Sequence, residues 1–388
     1  MKAVTVLCSD VINSLGLVRT LGEVGYKVEC LCYGNNTNYI LSSRYICTGM
    51  NFKSCKEAVH YLINDYPTKD IKPVLFTLPD PPAYYVDLYQ ELLETKFVLF
   101  RAGKPGNIVY WMDKQNISDL ARKHGLTVPW TIKLSKDDAI PALLDYPVFV
   151  KSANSTEGGK VDEGICHTEN ELKNKISHLV ADNFIIMPYI KKVEENNFFG
   201  IALHDHIYID YFDVRTRFPE DGYGHYNIFH ICDYDDFHSR LIAMIKETKY
   251  QGLFDIEFLV GEDGKKYFME VNFRVDGAIY KLAHGINLPD YWCRLVDLPK
   301  EELPERLITK SESFSGMTEI DDFKVSVLSG KVNFFIWVWQ FLWVDRRMLC
   351  NFKDLMPLLI KIRDNVKYRC SLIKCRSLNL LTRIIGYI

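Results

Sequence analysis

The stretch that most constrains this chain runs from Gly252 to Arg274. Gly252 to Val260 and Lys266 to Arg274 are both rich in β-branched and aromatic residues, and the Asp263-Gly264 pair between them is a hairpin signal. The segment therefore predicts two antiparallel strands joined by a tight turn. Period-two alternation puts Glu270 and Asn272 on one face of the second strand, and Glu257 can sit opposite them on the first. An all-oxygen cluster without Cys or His suits a hard cation such as Mg2+, which keeps some waters and takes its remaining ligands from nucleotide phosphates. Arg274, two residues along the same face, would point at those phosphates. Glu-x-Asn alone also fits the wet face of an ordinary hairpin, so the assignment depends on what else the chain carries.

With 388 residues the chain is too long for one ordinary core and predicts two or three domains. Hydrophobic residues make up 48% and charged residues 25%, which is a globular composition. A formal net charge of -3 argues against a general nucleic-acid binder, so any basic patch must be local. The 11 cysteines are scattered singly apart from Cys30-x-Cys32, with no Cys-x-x-Cys or His-containing metal spacing. Reduced, mostly buried thiols in a cytoplasmic protein are the expectation.

The chain opens with a strand over 2–8, a helix from about Val11 to Val24 and a strand over 27–32, a β-α-β unit that implies an open parallel sheet. No Gly-x-Gly-x-x-Gly follows the first strand, so no NAD site is assigned. Asn13, Ser14 and Arg19 lie where such a sheet receives a substrate, although a helix cap and a solvated face explain them as well. Strands are expected over 73–78 and 97–100, with a helix starting at Asp80-Pro81-Pro82. After a break at Gly103 to Gly106, Asp113 can cap a helix whose first turn carries Lys114. A cation there opposes the helix dipole unless it meets an anion. The buried strand over 146–151 ends in Lys151, and the loop from Ser152 to Val161 contains Gly158-Gly159-Lys160, whose backbone N–H groups could face phosphate. A helix over 170–180 and a strand over 183–190 lead into a linker with Glu194 and Glu195. Strands over 198–203 and 207–214 follow, the second ending in Arg215-Thr216-Arg217. A helix from Asp235 to Lys249 precedes the hairpin.

The order of these pieces from about Ala3 to Trp292 resembles the ATP-grasp superfamily. The likeness is to the branch with carbamoyl-phosphate-synthase-like domains and D-aspartate ligase-like carboxylate-amine ligases. It rests on Asp113-Lys114, the run Gly125 to Pro129, Val148 to Ser152, Gly158-Gly159-Lys160, the hinge Ile186 to Ile190 with an acid after it, and Asp255-Ile256-Glu257 paired with Met269 to Arg274. The resemblance implies an α/β (α+β) fold in four parts. These are an open parallel-sheet, Rossmann-like domain over 1–112, a small lid subdomain over 113–186, a large subdomain with the metal site over 187–300, and a helical C-terminal extension over 301–388.

It also implies roles. ATP would be held by Lys114 and Lys151 on its phosphates and by a lid with Ser155, Gly158, Gly159 and Lys160. The backbone of Met187, Pro188, Tyr189 and Ile190 would take adenine, and Glu194 the ribose. Glu257, Glu270 and Asn272 would hold Mg2+, or Mn2+ in its place. Catalytic charge falls to Arg274, Lys151 and Arg215, with Arg217 competing for the last position. Pro188 has no N–H, and Thr156-Glu157 stands where the lid is usually Gly or Ser, so both places depart from the pattern. The implied activity joins a small-molecule carboxylate to an amine through an acyl phosphate, releasing ADP and phosphate, and the implied assembly allows a homodimer. Alternatives are an ATP-grasp enzyme that carboxylates or phosphorylates a small molecule, and a nucleotide-binding protein without turnover.

Beyond Pro299 this pattern fades. Phe334 to Val344 is an aromatic run well short of a membrane span. Residues 361–388 carry seven basic side chains against one acid. Trp-rich faces belong more often to interiors, which predicts helices packed on the rest of the protein. Aromatics beside a basic tail also match peripheral contact with the inner face of an anionic membrane.

Overall fold

The computed structural model describes residues 3–154, 159–219, 222–307 and 312–364. Three sheets organise it. The first is four-stranded and parallel, in the order Ile46–Phe52, Val28–Tyr33, Val4–Ser9, Val74–Leu78. All six residues of Val4–Ser9 are buried, as expected of a central parallel strand covered by helices on both faces. The carboxyl ends of its strands carry Asp10 and Asp80, and Asp80 starts the helix Asp80–Leu88. The strand expected over 97–100 reduces to a bridge between Val98 and Val74, after which Arg101–Ala102 pairs with Tyr250 and Gln251.

The second sheet is small and antiparallel, in the order Ile132–Ser135, Asn183–Pro188, Val148–Ser152, Gly164–Cys166. Asp113 caps the helix Lys114–Lys123, accepting from the N–H groups of Gln115 and Asn116 at 2.9 and 3.2 Å.

The third sheet runs Lys266–Asn272, Tyr250–Gly261, Lys192–Leu203, His206–Arg215, Tyr226–Ile231, Phe314–Met317, Arg346–Arg347. The hairpin is present where the sequence places it: Gly264 has a φ of 75° and its N–H donates to the Gly261 carbonyl at 2.9 Å. The supposed linker before Phe198 is instead strand from Lys192 onward. The C-terminal extension, expected to be helical, also adds Phe314–Met317 and Arg346–Arg347 to this sheet.

Arg19 is the pin between the first domain and that extension. It is wholly buried rather than facing a substrate. Its Nε donates to Asp354 Oδ2 at 2.9 Å, and its Nη atoms to the carbonyls of Met348 at 2.6 Å and Asp354 at 2.7 Å. Ser43 Oγ and the Arg44 N–H also donate to the Asp354 carboxylate. Removing one partner leaves a buried uncompensated charge. Asp354→Ala is expected to destabilise the protein by about 3–5 kcal/mol in urea unfolding; a change under about 1 kcal/mol contradicts this role for the pair.

Candidate functional site

The polar residues of the third sheet converge because four long strands alternate in phase. Glu257 lies across from Glu270 and Asp255 across from Asn272. On the other side Asn197 faces Glu257, and beyond it Asn197 faces Asp213 while Glu195 faces Arg215. The intervening residues Phe254, Ile256 and Phe258 turn to the opposite face and are buried in the core. A band of acids, amides and one guanidinium thus crosses the sheet.

Amides hold the acids in place. Asn272 Nδ2 donates to Asp255 Oδ2 at 3.1 Å and Glu257 Oε1 at 2.9 Å, and Asn197 Nδ2 reaches the same two oxygens at 3.1 and 3.4 Å. Loss of surrounding water and then the Glu270 charge push Glu257 up to about 8. Asp255 rises too, from burial first and the nearby Asp276 second. Glu270 goes the other way: desolvation raises it, but Lys114, Lys151 and Arg274 together hold it below its usual range. Acids crowded until one of them resists ionising are a natural seat for a cation. Among the described residues no group of three or more His, Cys, Asp and Glu side chains forms a metal-ligand cluster. The pair Glu257 and Glu270 with the Asn272 amide is a partial oxygen set, which suits an ion that draws its other ligands from phosphates and water.

Cations approach from the second sheet. Lys151, at the end of Val148–Ser152, is buried and lowered to about 8, by burial first and by Lys114 second. Lys114 Nζ donates to the Ser152 carbonyl at 3.2 Å and stands 4.0 Å from Glu270 Oε2. Both lysines line a narrow cleft with Ile185 and Met187 on one side and Phe268 and Met269 on the other. The conflict between Lys114 and the helix dipole thus marks a real convergence of charge.

Arg274 joins the band to the first domain: its Nε donates to Asp80 Oδ1 at 2.9 Å and its Nη1 to Asp255 Oδ1 at 3.2 Å. Arg215 Nε donates to Asp213 Oδ2 at 2.9 Å within the band. Arg217 is engaged elsewhere, by Asp322 at 3.4 Å and Gln340 Oε1 at 2.7 Å in the extension. Glu195 is committed to Lys192 and the Gly224 N–H, whereas Glu194 is partly exposed. At the hinge the Tyr189 N–H donates to the Pro147 carbonyl at 3.0 Å and is not available to a base. Ser155 and Gly158 lie outside the described residues, as does the Lys160 side chain; Gly159 and Lys160 begin the 3-10 turn Gly159–Asp162.

Sequence reasoning missed Asn197, Asp213, Asn227 and Lys281. Lys281 is buried, donates to Asn227 Oδ1 at 2.6 Å, and is lowered to about 8 by burial first and Arg215 second. A signal existed for two of them: polar residues two apart inside apolar strands, as in Glu195 and Asn197 or Asp213 and Arg215, share a face.

No protein-family model matches the chain, and no curated protein matches it by sequence. Solved structures do. An L-amino acid ligase from Bacillus licheniformis superposes with a TM-score of 0.58 at 14% identity, over 81% of this chain and 79% of that one. An N5-carboxyaminoimidazole synthetase from Staphylococcus aureus complexed with ADP gives 0.61 at 15%, over 86% and 87%. A biotin carboxylase from Campylobacter jejuni gives 0.56 at 14%, over 76% and 72%. This chain has the ATP-grasp fold.

A carboxyl that keeps its proton in the folded state after the unfolded chain has released it makes stability fall with rising pH, here between the ordinary 4.5 and about 8. In metal-free buffer the melting temperature is expected to drop across that window, and Glu257→Gln to flatten the drop. An unchanged slope in the variant contradicts the placement of Glu257.

Proposed function

We propose that this protein is an ATP- and Mg2+-dependent carboxylate-amine ligase. The observation that carries this reading is the approach of Lys114, beside Lys151 on one lobe, to within 4.0 Å of Glu270, which pairs with Glu257 and lies two residues from Asn272 on another. Phosphoryl transfer asks a protein for positioning and charge neutralisation, and this arrangement offers both.

Triphosphate would lie along Lys114 and Lys151, with adenine toward the hinge. The Tyr189 N–H is directed at Pro147, so adenine would be read from the Pro188 carbonyl, trans to it in the same peptide unit, and the Ile190 N–H just past the strand. They would pair with the amino group and a ring nitrogen of adenine, so the missing N–H of Pro188 is no obstacle. Glu194 would take the ribose hydroxyls. Mg2+ bound by Glu257, Glu270 and Asn272, or Mn2+ in its place, would neutralise phosphate charge. Arg274, oriented by Asp80 and Asp255, would steady the γ-phosphoryl group.

A substrate carboxylate oxygen attacks the γ-phosphorus, the bond to the ADP oxygen breaks, and an acyl phosphate results. The amine nitrogen then attacks the acyl carbon, the bond to phosphate breaks, and the nitrogen gives up a proton, leaving an amide, ADP and phosphate. Arg215, paired with Asp213 inside the band, would hold the acyl phosphate, whereas Arg217 is engaged by the extension. The nine described cysteines form no disulfide with one another, which fits a reducing compartment.

Glu270→Ala is expected to lower ATP-dependent turnover by on the order of 10² or more, the cost of one transition-state charge contact; wild-type turnover in a folded variant contradicts the reading. An ADP-release screen of carboxylates, bicarbonate included, against amines is expected to show release that needs both partners. Release with bicarbonate alone would assign carboxylation instead.

A further inference from the structure

The C-terminal extension carries a run of exposed apolar side chains whose chemistry matches lipid. The helix Phe334–Trp343 reads FFIWVWQFLW, and none of its residues is buried. Phe335 is 78% exposed, Trp343 69%, Trp339 64% and Leu342 59%, and their spacing places them on one side. The other side is fastened to the protein. Trp337 Nε1 donates to Asp322 Oδ2 at 2.8 Å, its ring lies 5.1 Å from Phe323 and stacks on Phe341, and Gln340 accepts from Arg217. The exposed side cannot turn inward without breaking these bonds, so the sequence expectation of a helix packed into the interior is met on one side only.

A second segment repeats the pattern. The chain is helical from 356 to 364, and Phe352, Met356, Leu359 and Ile362 are 78%, 53%, 55% and 47% exposed at spacings of three to four residues. Lys353 and Arg363 are exposed beside them. Residues 365–388, which follow directly, carry five basic side chains and no acid.

No helix among the described residues is long and apolar enough to cross a membrane. A short aromatic helix flanked by cations belongs instead in the plane of the interface, where Trp favours the headgroup level and cations meet anionic lipid. Two copies facing one another through these segments would bring like charges together, which disfavours a second copy as the occupant. We propose that the protein docks peripherally on an anionic lipid surface. Phe335, Trp339, Leu342 and Trp343 enter the interface, and Phe352, Met356, Leu359 and Ile362 add apolar contacts beside Lys353 and Arg363. This does not depend on the ligase reading. Through Gln340 and Arg217 the docked helix would also hold the strand that carries Arg215.

The test incubates the full chain with vesicles of phosphatidylcholine containing phosphatidylglycerol, and with phosphatidylcholine alone. At low salt the protein should pellet with the mixed vesicles, shift its Trp fluorescence to the blue, and pellet less as salt rises. The double variant Trp339→Glu, Trp343→Glu should bind at least about tenfold more weakly while retaining its melting temperature. No pelleting at low salt, equal binding to neutral vesicles, or a double variant that binds like wild type each overturns the proposal. Light scattering that shows a dimer, lost in the double variant and without vesicle binding, would overturn it in favour of a second copy.

Discussion

The structure depends on how one sheet tolerates several carboxylates on one face. Asp255, Glu257, Glu270 and Asp213 lie on neighbouring strands, where burial raises Asp213, Asp255 and Glu257 and nearby acids raise the last two further. Left alone, that would favour unfolding. Two amides, Asn197 and Asn272, donate into it, two guanidiniums from Arg215 and Arg274 offset part of the charge, and Lys114 and Lys151 lean in from the second sheet. The remaining imbalance is local: a wall of acids on the third sheet, a wall of lysines on the second. A divalent cation with a polyphosphate would satisfy both walls at once, which is the physical basis of the proposed site.

Interdomain contacts serve the same end. Asp80, at the carboxyl edge of the first sheet, orients Arg274, and Arg19 ties that domain to Asp354 of the extension. The extension in turn adds a strand to the third sheet and engages Arg217. Each lobe thus supplies a residue that fixes another lobe's charged side chain.

The hairpin, the capped helix at Asp113 and the parallel start of the chain were legible because each rests on local chemistry: a turn pair, a capping acid, a run of apolar residues. Glu257, Glu270 and Asn272 were legible from period-two spacing. Asp213 and Asn227 were not placed beside the acids: spacing puts Asp213 on one face with Arg215, but its neighbours follow from strand order, with 192–203 and 206–215 extending the hairpin, and strand order is a tertiary outcome. Lys192 to Asn197 read as linker since the run lacks the apolar alternation of a strand, yet Glu195 and Asn197 are polar because they lie on the face that carries the band. Arg19 fitted a solvated helix face better than a substrate contact and is neither but a buried pin, since its partner lies 335 residues away. The aromatic run over 334–344 announced a helix but not which side of it would find a partner.

Titration calorimetry with a non-hydrolysable ATP analogue, run with Mg2+ and again with a chelator, tests the central claim most directly. The account predicts saturable one-to-one binding that weakens by an order of magnitude or more when Mg2+ is removed, since the carboxylates then face the phosphates unscreened. No binding with Mg2+ present, or equal affinity with and without it, would contradict a site in which Glu257, Glu270 and Asn272 hold the metal beside the nucleotide.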